Sequence, residues 1–187
     1  MELAKTVTME LQKIPTWAKN IGLVLGASIL LGLFAHVVIP LPFSPIPIVL
    51  QVSLVLLLSV LLGSKKAVAA VLAFLGQGAM GLPVFAGGAA GIPFLCGPKA
   101  GYYFGYLIAA YVTGRLIEIS GKKSLFHAAL AMFAGNILIY LFGAAWLATF
   151  IGANQALLLG VAPFIVGDFV KVACGLKFLQ WIGWNRQ

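Results

Sequence analysis

Charged side chains are scarce in this sequence of 187 residues, where they make up 9% of the chain and only four are acidic. Soluble domains carry about 25% charged residues, so this chain lacks the side chains that cover a water-exposed surface. Hydrophobic residues make up 62% of the chain, and the mean hydropathy is +1.08. The composition therefore excludes a soluble globular protein and indicates an integral membrane protein.

Sequence motifs of catalysis are also missing. The chain contains no G-x-x-x-x-G-K-[ST] phosphate loop, no H-E-x-x-H zinc motif and no G-x-S-x-G nucleophile motif. Its two histidines, His36 and His127, are far apart, and its two cysteines, Cys96 and Cys174, lack the spacing of a metal site. We therefore predict that the protein is not an enzyme and has no catalytic residues, no metal site and no cofactor.

Six apolar runs divide the chain, at about 20–39, 47–63, 66–85, 101–119, 126–151 and 157–182. Most are close to the roughly 20 residues that a helix needs to cross the hydrocarbon core of a bilayer. We predict an all-α membrane protein in which residues 1–187 form a single domain of six transmembrane helices. Residues 1–19 combine three lysines with spaced apolar residues, which indicates a short amphipathic segment at the membrane surface.

The connections between the runs differ in chemistry. They are a proline-rich corner, a tight turn, a long Gly/Pro-rich stretch and two short polar links, at 40–47, 63–66, 83–101, 120–123 and 152–155. The long stretch is an external loop between the third and fourth helices. Because it contains Phe85, Ile92, Phe94 and Leu95, it is too apolar for a flexible linker. We expect it to form a folded cap, since irregular backbone at membrane depth is tolerated only inside protein or along a cavity.

Lysine and arginine are unevenly distributed between the two sides of this arrangement. With the N-terminus inside, ten of the twelve fall in cytoplasmic parts: Lys5, Lys13, Lys19, Lys65, Lys66, Arg115, Lys122, Lys123, Lys177 and Arg186. Lys99 is external and Lys171 lies within the sixth helix. The positive-inside pattern predicts that both termini are cytoplasmic. It also accounts for the net charge of +8, so we expect contact with membrane lipid and no nucleic-acid binding.

The informative ionisable pair in the last apolar run is Asp168 and Lys171. Their spacing of three places them on one helical face, and charges inside a span are expensive enough to indicate function. The alternative is an ion pair that merely neutralises itself. Asn136 and Tyr140 share a face of the fifth helix, where Asn136 could line a cavity or bond a neighbouring helix. Gln51 has the same two interpretations.

Small residues recur on the first helix as Gly22, Gly26, Ser28 and Gly32. Pairs of small residues four apart allow another helix to approach closely. The spacing does not distinguish a helix of this chain from a helix of a partner.

Four segments together resemble the BioY family. They are P-I-P-I-V-L-Q at 45–51, G-A-M-G-L-P-V-F-A at 78–86, G-P-K-A-G-Y at 97–102, and the P-F, Asp168 and Lys171 of 163–171. They occur in the family's order within a similar six-helix plan. BioY proteins are the biotin-specific substrate-binding (S) components of energy-coupling-factor (ECF) vitamin transporters. The resemblance implies biotin capture at the outer side of the bacterial cytoplasmic membrane, with a transmembrane coupling protein and two cytoplasmic ATP-binding subunits as partners.

The resemblance also implies a binding site. Asp168, Lys171 and Tyr102 are similar in position to family ligand contacts. We expect Asp168 to accept the ureido N–H groups of biotin, and Lys171 to bind a polar oxygen or the carboxylate. Gln51 and the 83–98 loop, including Phe85, would shape or close the site, and Asn136 is a further candidate.

Lys99 departs from the family pattern, because this position of the G-P-T motif is usually threonine. The lysine either adds a second cation that strengthens carboxylate binding or faces water. Two alternatives to the biotin function stay open at this point. One is a stand-alone proton-coupled transporter that uses Asp168 as its proton carrier, and the other is an S component for a different vitamin.

Overall fold

The computed structural model describes residues 15–121 and 123–184. Its helices are α1 Thr16–Phe34, α2 Gln51–Leu62, α3 Ser64–Ala79, α4 Ile92–Leu95, α5 Ala100–Ser120, α6 Leu125–Ile151, α7 Ala153–Gly160 and α8 Ala162–Trp181. The amphipathic segment predicted for residues 1–19 lies mostly outside the described residues. Its last four residues already belong to α1.

Apolar side chains lie on both the inside and the outside of the helix bundle. Leu31, Leu56, Phe74 and Met132 are fully buried between the helices. On the outside, α1 exposes Ile21, Leu25, Ile29 and Leu33, and α6 exposes Ile137 and Leu141, as a lipid-facing surface does. Three described segments are long and apolar enough to cross a membrane: Thr16–Phe34, Leu125–Ile151 and Ala153–Trp181. The protein is therefore a mostly helical, multi-pass membrane protein.

The proline-rich corner connects two short antiparallel strands, β1 Val38–Ile39 and β2 Ile48–Val49. Val38 pairs with Val49 and Ile39 pairs with Ile48. Ser44 ties the corner to the bundle because its hydroxyl donates to the Leu159 carbonyl of α7 at 2.6 Å. The corner therefore lies against the connection between α6 and α8.

The last apolar run is divided differently from the prediction. The predicted break at 152–155 is limited to Gly152, whose φ of +84° ends α6, and a helix resumes at Ala153. A second break, which sequence analysis did not predict, occurs at Val161 between α7 and α8. Pro163 explains it, because proline fits the first turn of a helix but would clash with a carbonyl one turn earlier in a continuous helix.

The small residues of α1 divide into two faces. Ser28 and Gly32 are buried against this chain: Gln77 donates to the Ser28 hydroxyl at 3.0 Å, and a Cβ at Gly32 would lie 3.1 Å from Val84. Gly22 and Gly26 are exposed, and a Cβ at either would meet no atom of the described residues within 4 Å. One pair of small residues therefore serves packing within the chain, whereas Gly22 and Gly26 lie on the outer surface.

The segment between α3 and α5 is held to the bundle by aromatic packing. The Phe85 ring is fully buried, stacks on Phe94 at a centroid distance of 5.3 Å, and meets Phe74 edge-on at 5.5 Å. The Phe85 ring occupies the space that a side chain at Gly78 would need. Trp146 of α6 also donates its indole N–H to the Gly97 carbonyl at 3.0 Å.

Candidate ligand-binding site

A small cavity lies at the end of the bundle where the strand pair, the α3–α5 segment and the first turn of α5 meet. Its walls come from five parts of the chain and are mostly apolar. The lining residues are Ile46, Pro47, Val49, Gln51, Val52, Ala86, Lys99, Tyr102, Tyr103, Tyr106, Ile139, Tyr140, Phe164 and Lys171. Concave, mostly apolar sites with a few convergent polar groups are typical of small-molecule binding.

Asp168 and Lys171 form an ion pair in the wall of this cavity. The Lys171 ammonium lies 3.1 Å from Asp168 Oδ1, and the side chains are 14% and 6% exposed. Tyr140 donates its hydroxyl to Asp168 Oδ2, and Lys171 also donates to the Val49 carbonyl of β2 at 3.4 Å. Lys171 and Tyr140 line the cavity, and the Asp168 carboxylate lies immediately behind them. The wall therefore presents an ammonium and a phenol whose positions are set by one carboxylate.

Gln51 brings an unpaired amide to the same cavity. The residue is 1% exposed, and neither Nε2 nor Oε1 has a hydrogen-bond partner among the described residues. Buried polar atoms are nearly always hydrogen-bonded, since leaving one unpaired costs about 1–3 kcal/mol. An amide that carries one donor group and one acceptor, and that faces a cavity, is suited to hydrogen-bonding a polar ligand.

Tyrosines of α5 form one side of the cavity. Tyr102 is buried and donates its hydroxyl to the Gly160 carbonyl at 2.8 Å, where α7 ends. Tyr103 and Tyr106 are also buried, and their rings meet edge-on at a centroid distance of 5.6 Å. Tyr102 is predicted from the sequence motifs, whereas Tyr103 and Tyr106 are not. The four-residue spacing of Tyr102 and Tyr106 was the signal for a shared aromatic face.

Besides Asp168, which lies behind Lys171 and Tyr140, two predicted site residues lie outside the lining. Phe85 sits behind Tyr103, with a centroid distance of 5.1 Å, and supports the wall rather than forming it. Asn136 lies one helical turn from Tyr140 in a separate outward groove that Asp168 also borders. Its buried Oδ1 has no partner among the described residues. A direct ligand contact by Phe85 or Asn136 stays a prediction that would require a rearranged cavity.

Lys99 lies at the outer rim of the cavity, where it precedes α5. Its ammonium is 5.2 Å from the centroid of the Phe94 ring, within the range of a cation–π interaction. Burial lowers the pKa of Lys99, because desolvation disfavours the charged form. The rim of the cavity therefore carries a second, partly desolvated cation.

The cavity holds about 50 Å³ in this conformation. Sites for small molecules typically enclose about 300–1,000 Å³. Binding a vitamin-sized molecule therefore requires the lining to move apart. Lys171 and Val49 belong to different elements, so a movement that separates α8 from β2 would break their contact.

A family model named BioY matches residues 5–181. This covers nearly all of the chain, including every element that lines the cavity. The chain belongs to the BioY family. The proline corner, the aromatic α3–α5 segment and the ion pair of α8 are therefore features of a BioY-family protein.

Relatives and a solved structure agree with this assignment. The chain is 38% identical over 141 residues to the probable biotin transporter BioY of Pyrococcus horikoshii, with 75% of this chain and 83% of that protein covered. It is 37% identical over 136 residues to the biotin transporter BioY of Thermotoga maritima, with 72% and 79% covered. The fold is similar to the crystal structure of the S-component for biotin from an ECF-type ABC transporter, with a TM-score of 0.81, 25% identity, and 90% and 94% of the two chains covered.

Proposed function

We propose that this protein captures biotin at the outer side of the cytoplasmic membrane and delivers it across as the S component of an ECF-type transporter. The observation that carries the proposal is the buried Gln51 amide, which has no hydrogen-bond partner within residues 15–121 and 123–184 and faces the same cavity as Lys171 and Tyr140. The names and structure of the relatives supply the ligand, since they are biotin transporters and a biotin S component.

The chemistry of the wall suits biotin. The ureido ring of biotin carries two N–H donors and one carbonyl acceptor, and its valerate chain ends in a carboxylate. In the proposed complex the ureido carbonyl accepts from Lys171 or Tyr140, and the Gln51 amide bonds the polar edge of the ring. As the cavity widens, the N–H groups reach the Asp168 carboxylate. The apolar rings of Tyr103, Tyr106 and Phe164 then cover the thioether ring.

The charge distribution supports an outward-facing cavity and six membrane spans. Lys19, Lys65, Lys66, Arg115, Lys123 and Lys177 lie toward the opposite end of the bundle. The cavity end carries Lys99 at its rim. By the positive-inside rule, the cavity then opens to the exterior and both termini are cytoplasmic. The six spans are α1, α2, α3, α5, α6 and α8. Because α2 and α3 are shorter than a typical membrane-spanning helix, they need packing against the neighbouring helices.

Transport by this protein requires partners under the proposal. The chain has no phosphate loop, so a transmembrane coupling protein and two cytoplasmic ATP-binding subunits would supply the energy. The exposed Gly22 and Gly26 leave one face of α1 open to another helix. Stand-alone proton-coupled transport with Asp168 as the proton carrier is the alternative, and the similarity to a solved biotin S component does not favour it.

Uptake of radiolabelled biotin into proteoliposomes distinguishes the two mechanisms. We expect vesicles with the full complex to accumulate biotin only with ATP on the cytoplasmic side, and to continue doing so after a protonophore is added. Vesicles with this chain alone are the control and should bind biotin without accumulating it. Accumulation by the chain alone that collapses with the protonophore would contradict the proposal and support proton-coupled transport.

A further inference from the structure

Lys99 occupies a junction between two concave surfaces. One is the central cavity, and the other is an outer groove of about 430 Å³ lined by Pro45, Ala90, Pro93, Phe94, Gly97, Pro98 and Lys99. Within the part of the chain that the structure describes, Lys99 alone lines both. The rest of the groove surface is largely apolar. A molecule that extends from the cavity into the groove must therefore pass this ammonium group.

No carboxylate of the described chain pairs with Lys99. The acidic residues at positions 15–121 and 123–184 are Glu118 and Asp168. Glu118 is 19 positions further along the chain, at the far end of α5, which corresponds to roughly 28 Å at 1.5 Å per residue. Asp168 is already engaged by Lys171 and Tyr140. The Lys99 ammonium therefore has a place for an anion that the described protein does not fill.

The Lys99 ammonium contacts a ring that is itself fixed. Phe94 stacks on the fully buried Phe85, with 13° between the ring planes, and lies 6.1 Å from Tyr103. The segment before Lys99 is held by the hydrogen bond from Trp146 to Gly97. Lys99 is half-buried rather than extended into solvent. Its position at the rim is thus supported by packing, which reduces the entropy lost when it binds an anion.

We propose that Lys99 recognises the free carboxylate at the end of the ligand's acyl chain. In this arrangement the acyl chain lies in the outer groove, and the protein selects the acid over its neutral esters and amides. The inference rests on the proposed function, because it needs the ureido ring to occupy the cavity beside Lys171. The two lysines then contact opposite ends of one ligand. Partial burial strengthens the attraction, since an ammonium that has lost water gains more from a carboxylate than an exposed one does.

The test is a comparison of two ligands across four proteins. Dissociation constants are measured for biotin and for biotin methyl ester with wild type, Lys99→Met, Lys99→Arg and Lys65→Met. Met keeps an unbranched apolar side chain without the charge, and Lys65→Met removes the same charge from the opposite end of the bundle. Circular dichroism and an unfolding temperature establish that each variant is folded.

We expect Lys99→Met to weaken biotin binding about 10-fold and to leave the ester within about twofold of wild type. Lys99→Arg should retain most of the biotin affinity, and Lys65→Met should change neither ligand. The preference of the wild-type protein for biotin over biotin methyl ester should also fall as the salt concentration is raised, because the contact between Lys99 and the carboxylate is only partly buried.

Two results would overturn the inference, and only the second of them would also overturn the proposed function. If Lys99→Met weakens biotin and its ester equally, or weakens neither, Lys99 does not recognise the carboxylate, although the proposed function stands. If folded wild-type protein binds neither ligand, the proposed function fails and the role of Lys99 fails with it.

Discussion

Replacing Asp168 with asparagine is expected to lower the affinity for biotin at least about 100-fold. The carboxylate is the acceptor for both Lys171 and Tyr140, and in the proposed complex it also accepts ureido N–H groups. Hydrogen bonds to a charged group contribute about 1.5–3 kcal/mol each, and each 1.4 kcal/mol changes affinity tenfold. Asparagine has nearly the same shape but offers a weaker acceptor and no charge, so the effect reports on the carboxylate itself.

A second variant separates binding from folding. Asp168→Asn leaves the Lys171 ammonium buried without its counter-ion, and breaking such a pair typically costs about 3–5 kcal/mol of stability. Asp168→Asn combined with Lys171→Met removes both charges and should recover much of that stability, because a neutral apolar pair suits the interior of the bundle. Biotin affinity should stay low in the double variant.

Equilibrium dialysis with radiolabelled biotin measures the affinity, and thermal unfolding in detergent measures the stability. Folded Asp168→Asn protein with wild-type affinity would show that the ion pair only neutralises itself. Recovery of binding in the double variant would show that Asp168 acts through stability alone. Either result would remove Asp168 from the site.

Gly114→Ala is expected to destabilise the contact between α3 and α5 by about 1–3 kcal/mol, with an unfolding temperature lower by several degrees. A Cβ at Gly114 would lie 2.4 Å from the Ser64 nitrogen and 2.5 Å from its Cα. Backbone cannot move aside as a flexible side chain can. The added methyl group would therefore push the start of α3 away from α5.

The same shift would break a polar contact at this end of the bundle. Glu118, one turn after Gly114, accepts from the Ser64 backbone N–H at 2.7 Å and from its hydroxyl at 2.8 Å, which caps α3. Gly26→Ala is the matched control, since a Cβ there would meet no atom within 4 Å in the part of the chain that the structure describes. Thermal unfolding in detergent should show a loss for Gly114→Ala and little change for Gly26→Ala. Equal stabilities would contradict the close approach of the two helices.

Sequence reasoning predicted well wherever the cause was local. Asp168 and Lys171 could be paired from their spacing alone, because residues three apart share a helical face. The breaks at Gly63 and Gly152 could be predicted because glycine is common at such positions. Their positive φ values, +79° and +84°, are ones that favour glycine. The apolar pattern does not indicate the break at Val161, because Pro163 lies within one continuous apolar run, although the fixed φ of proline belongs at a helix start.

Features that depend on contacts distant in sequence could not be predicted in the same way. Tyr140 meets Asp168 across 28 positions, and Lys171 reaches Val49 across 122. Hydrophobicity gave little guidance here, since lipid-facing and buried surfaces of the helices are both apolar. Phe85 shows the consequence: its apolar character in the loop indicated a folded segment, but only the packed rings place it behind Tyr103.

Calorimetric titration of biotin into the detergent-purified protein, without nucleotide or partner subunits, tests the central claim most directly. The proposed function predicts saturable binding, together with a higher unfolding temperature in excess biotin, because a ligand that binds only the folded state stabilises it. Binding needs no energy input under this account, so ATP should change nothing. Absence of both binding heat and thermal stabilisation, in protein shown to be folded, would contradict the assignment of biotin as the ligand.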